Sequence, residues 1–210
     1  MKPLRILVFA KAPLPGRVKT RLIPALGAEG AARLARHLLG LALARARVAA
    51  VGPVELCMSP APGHPDWAGI PLPPDIQTRD QGEGDLGERM ARAAKRHLDH
   101  GEAVLLTGTD CPGLDAARLG AAAARLADHD AVIYPAEDGG YPLLGLNAFA
   151  PELFADMPWS TPAVARLTLE RMAALGWRVW IGETLRDIDE PADLAYLPKW
   201  LGQTAVIGPF

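Results

Sequence analysis

The feature that most narrows the fold is an alternation. Short apolar runs with β-branched and aromatic members are separated by longer alanine-, leucine- and arginine-rich stretches. LRILVFA (4–10), PVELCMS (53–59), EAVLLTGTD (102–110), DAVIYPA (130–136) and YPLLGLN (141–147) read as strands, DIQTR (75–79) as a short one, and WRVWIGETL (177–185) as an alternating one. Residues 28–50, 85–100, 149–156, 162–175 and 190–201 read as helices, as does a segment capped by Asp115 that runs to about 127. Pro191 lies early in the first turn of the last of these. Strand–helix alternation over the first two-thirds implies a mostly parallel sheet with helices on both faces. The fold class is therefore α/β, a three-layer sandwich. The Pro/Gly-rich stretch 60–74 reads as a loop and not as a linker, so 1–210 is taken as a single domain.

In such sheets ligands sit beyond the carboxyl ends of the strands. The residues after 4–10 and 102–109 are therefore the place to look. Charge makes the first of these informative. The 22 Lys and Arg against 24 Asp and Glu leave a net charge of −2, which excludes a general cationic attraction for nucleic acid. Yet FAKAPLPGRVKTRL (9–22) concentrates Lys11, Arg17, Lys19 and Arg21 in a stretch with Pro13, Pro15 and Gly16 and no acid. Such a loop suits a polyphosphate, because Arg offers forked hydrogen bonds and Lys a point charge. The plainer reading is a solvated basic loop. It is neither a P-loop nor G-x-G-x-x-G.

Three acidic stretches complete the candidate chemistry. In GTDCPGL (108–114), Asp110 stands at the end of a very apolar strand, where a carboxylate can hold Mg²⁺ or Mn²⁺. Asp and Gly flanking Pro112 are equally ordinary turn residues. In AEDGGY (136–141), Asp138 is a candidate second acid and general base, and Gly139 and Gly140 admit a ligand close to the backbone; Asp-Gly is also a hairpin signal. In RDIDEPADL (186–194), Asp193 suits a helix start. Asp187 and Asp189 are expected to face opposite ways, so one alone is expected to point at a metal; either fits that role, and Asp187 is favoured.

Other chemistries find little support. The five histidines are scattered, and no hydrolase triad motif is present. Cys111 reads as a small apolar residue, and Cys57 lies too far along the chain to pair with it in a CxxC motif. Reduced cysteines, the lack of a signal-peptide pattern and the lack of a long apolar run lead to an expectation of a cytoplasmic protein without a membrane span.

Taken together, FAKAPLPGRVKTRL, GDLGERM, GTDCPGL, PAEDGGY, PWSTPAV and DIDEPADL resemble, in order, the motif set of the bacterial selenodomain-associated transferase family. That resemblance implies the GT-A, or nucleotide-diphospho-sugar transferase, fold, shared with nucleotidyltransferases. It implies that Ala10, Lys11, Gly16, Arg17, Lys19 and Arg21 bind nucleotide phosphates, and that Asp110 with Asp187 holds the divalent cation. QGEGDLG (81–87) is similar to a base-reading segment of related nucleotidyltransferases, which places Gln81, Gly84 and Asp85 at the base; a loop with a cap at Asp85 is the plainer reading. Gly139, Gly140, Tyr141, Trp159, Ser160 and Thr161 would line the acceptor side, although Trp159 reads equally well as core.

The function expected is metal-dependent glycosyl transfer from a nucleotide-sugar to a small acceptor, with Lys19, Asp110 and Asp138 carrying the chemistry. Two alternatives stand beside it. One is guanylyltransferase-like nucleotidyl transfer from a nucleoside triphosphate to a small phosphorylated acceptor. The other is a non-catalytic nucleotide-binding protein.

Overall fold

The computed structural model describes residues 2–197. Seven strands form one sheet: β1 (Leu4–Lys11), β2 (Val54–Ser59), β3 (Gln77–Asp80), β4 (Ala103–Thr107), β5 (Ala131–Tyr134), β6 (Leu143–Leu146) and β7 (Val179–Ile181). Their order is β3-β2-β1-β4-β6-β5-β7. The β1–β2, β1–β4, β2–β3 and β5–β7 pairs are parallel. β6 runs antiparallel to both β4 and β5. The sheet is thus mostly parallel, and it carries helices on both faces.

The sandwich follows from strand periodicity, because neighbouring residues of a strand face opposite sides. Ile6, Val8, Leu105 and Val132 pack with Leu39 and Leu43 of α1 (Ile23–Ala49) and with Leu119 and Ala122 of α3 (Ala116–Arg125). Leu7, Val104, Leu106 and Ile133 pack on the other face with Met90 and Ala94 of α2 (Leu86–Leu98) and with Ala165 and Met172 of α4 (Val164–Ala174). Strands buried on both faces read as unbroken apolar runs, which is why they were visible in the sequence. Gly145 of β6 faces the first layer, where a Cβ would fall 2.4 Å from Val132 and 2.7 Å from Leu105.

The helix starts also follow local chemistry. Asp85 caps α2 with a capping box: its Oδ1 accepts from Glu88 N at 2.9 Å, and Glu88 Oε2 accepts from Asp85 N at 2.8 Å. Asp115 caps α3 through Arg118 N. Elsewhere the expected elements change. The long helix begins at Ile23 and is interrupted at Gly27 (φ 70°), so its regular part starts where the sequence predicts. The helix expected at 149–156 is only the 3₁₀ turn Pro151–Leu153, since Ala150 is extended and Pro151 has no N–H to donate. The strand expected at 177–185 is the three-residue β7, followed by an isolated bridge at Leu185. The last expected helix is the 3₁₀ segment Pro191–Tyr196, and its remainder, beyond 197, lies outside the described residues.

One charge is buried within the α2 layer. Glu55 of β2 is 1% exposed. It is paired with Arg96, lies 3.3 Å from His97 Nε2, and accepts the Cys57 thiol at 3.6 Å. His97 in turn meets Glu102 at 2.7 Å, and Arg5 ties Glu102 to the start of β1. Removing one partner of a buried pair leaves the other uncompensated. Glu55→Ala is therefore expected to cost about 3 kcal/mol in urea unfolding. A loss under about 1 kcal/mol would show that Arg96 and His97 find water instead.

Candidate active site

Four segments meet at the carboxyl ends of β1 and β4. They are the loop after β1, the loop 108–114 after β4, the β5–β6 hairpin 135–142, and the irregular segment 186–190. Lys19 joins three of the four. Its backbone is left-handed (φ 48°, ψ 39°) and its side chain is 4% exposed. Its Nζ lies 2.6 Å from Asp110 Oδ1 and 3.0 Å from Asp189 Oδ1, and donates to Ile188 O at 2.6 Å. Burial alone would lower the pKa of this ammonium; the charges of Asp110 and Asp189 outweigh it and raise the pKa.

Ile188 anchors the fourth segment. Its side chain is fully buried among Leu22, Ala31, Leu34 and Leu38, and its N–H donates to Asp110 O at 2.9 Å. On either side of it, Asp187 and Asp189 offer oxygens that lie, together with one from Asp138, within 4.8 Å of one another. The expectation that these two aspartates diverge is corrected. In extended chain neighbours alternate, while residues i and i+2 share a face. With Ile188 turned inward, both acids turn to the cleft.

This cluster is electrostatically tense. Burial, then the charges of Asp110, Asp189 and Asp138, push the Asp187 carboxyl up to about 7 against the opposing pull of Lys19. Among the described residues, Asp187 Oδ1 is buried without a hydrogen-bond partner. An unpartnered carboxylate oxygen beside two further carboxylates is a donor set that could hold a hard divalent cation. Asp110, expected to be a metal ligand, lies at the edge of this group and pairs with Lys19. Asp189, the alternative to Asp187 in the sequence, stands in the group beside it, so the D-x-D pair contributes both acids where one was expected. Cys111 stays a thiol, pushed up to about 12 by burial and by Asp187.

The other expected residues divide. Ala10 is buried at the end of β1, and Lys11 is exposed beside it. Gly16 takes the φ of 75° that the loop requires. Arg17 pairs with Asp66 at 2.6 Å, outside the four segments, and Arg21 with Glu190 at 3.3 Å, at the end of the fourth; both are largely exposed. Gln81 is buried, and its Nε2 donates to Ala10 O at 3.1 Å and Cys57 O at 2.9 Å. Both amide hydrogens are thus spent in tying β1 to β2, which leaves Oε1, 3.5 Å from Arg89 Nη1. Gly84 (φ 102°) and Asp85 serve the α2 cap.

On the acceptor side, Asp138 Oδ1 accepts from Gly140 N at 2.8 Å, which fixes the hairpin tip. Gly139 (φ 88°) presses on Pro162, whose O would lie 2.2 Å from a Cβ. Tyr141 and Trp159 pack on the α2–α4 layer, and Trp159 Nε1 is buried with no partner among the described residues. Trp159 Nε1 abuts Gly87, so this ring serves the core. Ser160 (φ 64°) and Thr161 are exposed in the turn before α4.

The raised Asp187 value has a signed consequence. An unfolded chain releases this proton near the ordinary 3.8, whereas the folded chain keeps it until about 7. The native state therefore binds more protons in that window, and its stability falls as pH rises through it. In chelator, Asp187→Asn should gain on the wild type by up to ~1.4 kcal/mol per pH unit across the window and level off above it. A pH-independent difference in denaturation midpoints would show that Asp187 ionises normally.

Comparison with known proteins places this arrangement. A family model described as an uncharacterized protein conserved in bacteria (DUF2064) matches residues 42–161. A structure from Desulfovibrio desulfuricans G20, provisionally described as a nucleotide-diphospho-sugar transferase, is 33% identical, with 90% of this chain and 84% of that one covered and a TM-score of 0.80. A nucleotidyl transferase from Methanothermobacter thermautotroptrophicus is 16% identical over 95% and 97% of the two chains, with a TM-score of 0.59. A 4-diphosphocytidyl-2C-methyl-D-erythritol synthase from Anaerococcus prevotii DSM 20548 is 11% identical over 95% and 98%, also at 0.59. The last two likenesses are of fold alone. No curated protein matches the chain. The sheet order and these likenesses give a GT-A-like nucleotidyltransferase or nucleotide-diphospho-sugar transferase fold, and by its family model and its Desulfovibrio relative the chain belongs to the DUF2064 family.

Proposed function

We propose that the protein is a metal-dependent glycosyltransferase that takes a nucleotide-sugar donor at the cleft between Lys19 and the Asp138–Asp187–Asp189 cluster. The observation that carries this reading is the orphaned Asp187 oxygen within a group of carboxylates, faced by one buried ammonium. The Desulfovibrio relative, at 33% identity, supports a nucleotide-sugar as the donor. The six ordered motifs further support membership of the selenodomain-associated transferases. Two free cysteines suit a reducing, cytoplasmic setting.

Asp187 and Asp189, the more enclosed pair, would hold the divalent cation. When bound, that ion supplies positive charge to the departing diphosphate. Asp110 orients Lys19, and the Lys19 ammonium binds a phosphate oxygen of the leaving group. Lys11, exposed at the end of β1, extends the positive face along the phosphates. Asp138 is the exposed carboxylate of the group, on a tip held by its own Gly140 hydrogen bond. It is placed to accept the proton of an acceptor hydroxyl as the sugar is transferred. Gly139, Gly140, Tyr141, Ser160 and Thr161 form the wall on that side.

A second reading is nucleotidyl transfer to a small phosphorylated acceptor. It is favoured by the placement of a single lysine of the first loop on the strand-end acid Asp110, which suits charge at an α-phosphate. Products separate the two. With Mg²⁺ and a nucleotide-sugar panel, the glycosyl reading expects free nucleoside diphosphate; release of pyrophosphate from a triphosphate would select the alternative.

Substitutions test the site itself. Asp187→Asn should weaken metal-dependent nucleotide binding more than tenfold in calorimetry. Arg17→Ala, whose side chain is committed to Asp66, should change it less than twofold. Equal effects of the two would move the ligand away from the carboxylate cluster.

A further inference from the structure

We propose that Lys19 is a resident counter-cation of the carboxylate cluster, and that a divalent metal and a diphosphate displace it from that role only by arriving together. The inference rests on the metal–nucleotide reading above and adds an order to it: neither ligand binds well alone.

An ammonium has three hydrogens and no more. Here three oxygens surround it: Asp110 Oδ1 at 2.6 Å, Asp189 Oδ1 at 3.0 Å and Ile188 O at 2.6 Å. Its side chain is 4% exposed. No hydrogen is left to meet a phosphate while these three contacts stand. A diphosphate arriving alone therefore meets a saturated lysine, with the carboxylates of Asp110, Asp138, Asp187 and Asp189 around it. That approach is repulsive.

A metal arriving alone has the opposite difficulty. Asp189 belongs both to the group able to ligate it and to the lysine cage. A divalent ion that takes Asp189 strips the ammonium of a partner in a buried place, where an unpaired charge is costly. When both ligands arrive, the exchange balances. The metal takes the carboxylates, phosphate oxygens take the ammonium, and every charge keeps a partner. Asp110 can hold the lysine throughout.

Lys19 carries φ 48° without being glycine, a strained backbone state, and Gly16 at φ 75° lies in the same loop. The link between the two ligands is reciprocal: whatever factor the metal adds to diphosphate affinity, the diphosphate adds to metal affinity.

The test uses the full chain with Mn²⁺ and inorganic pyrophosphate, which removes any dependence on the base. Thermal unfolding of the wild type is followed in Mn²⁺ alone, in pyrophosphate with chelator, and in both. The inference expects a shift with both that far exceeds the sum of the two single shifts. Electron paramagnetic resonance then gives the affinity for Mn²⁺ alone, which should tighten more than tenfold in Lys19→Met, while the pairing advantage of pyrophosphate falls. Additive shifts in the wild type would overturn the inference and leave the metal–nucleotide reading in place. Unchanged or weaker Mn²⁺ binding by Lys19→Met would overturn it as well. No shift in any arm would remove the reading and the inference together. Should Lys19→Met fail to fold, the wild-type comparison still decides.

Discussion

One ammonium group holds the cleft together. Lys19, Asp110 and Asp189 are far apart in sequence, and no shared element joins them. The sheet places the ends of β1 and β4 side by side, and the Lys19 contacts with Asp110, Ile188 and Asp189 then close the gap to the last segment. Ile188 repeats the tie through its own N–H to Asp110 O, while its side chain fills the small core beneath α1. Lysine and isoleucine together set where Asp187 and Asp189 stand.

The arrangement is not one that stability alone would favour. Four carboxylates face one ammonium in a partly enclosed place. The Asp187 carboxyl is driven up to about 7, and one of its oxygens is buried with no partner among the described residues. Titratable groups perturbed by burial and by like charge gather at functional clefts. Within this chain the contrast with Glu55 is instructive. That acid is more buried, yet Arg96 and His97 pair with it, and it serves the core. The two acids differ in the balance of their partners.

Much of the fold was legible because strands covered on both faces read as continuous apolar runs, and because Asp85 and Asp115 announce their helices. The 149–156 segment misled because its aromatic and apolar residues, Phe149, Leu153 and Phe154, pack on the sheet from a turn instead of a helix. The site was legible in part. Lys19 and Asp110 were visible as a cation and an acid at two strand ends. Asp187 and Asp189 were visible only as alternatives, and that both turn to the cleft follows from Ile188 being drawn into the core between them. Charge alone could not show that Arg17 pairs with Asp66 and Arg21 with Glu190, since both partners come from segments remote in sequence. Nor does the sequence show that Gln81 spends its amide on the carbonyls of β1 and β2.

The central claim is positional: a divalent cation on the Asp138–Asp187–Asp189 cluster and a diphosphate on Lys19. The most direct measurement is a crystal structure with Mn²⁺ and a nucleoside diphosphate, located by the anomalous signal of the metal. The account predicts a metal peak bounded by those three carboxylates, with phosphate oxygens on the Lys19 ammonium. It would be contradicted by a metal elsewhere, or by a nucleotide in the cavity of about 310 Å³ at the opposite end of the strands, lined by Lys2, His129 and Arg178.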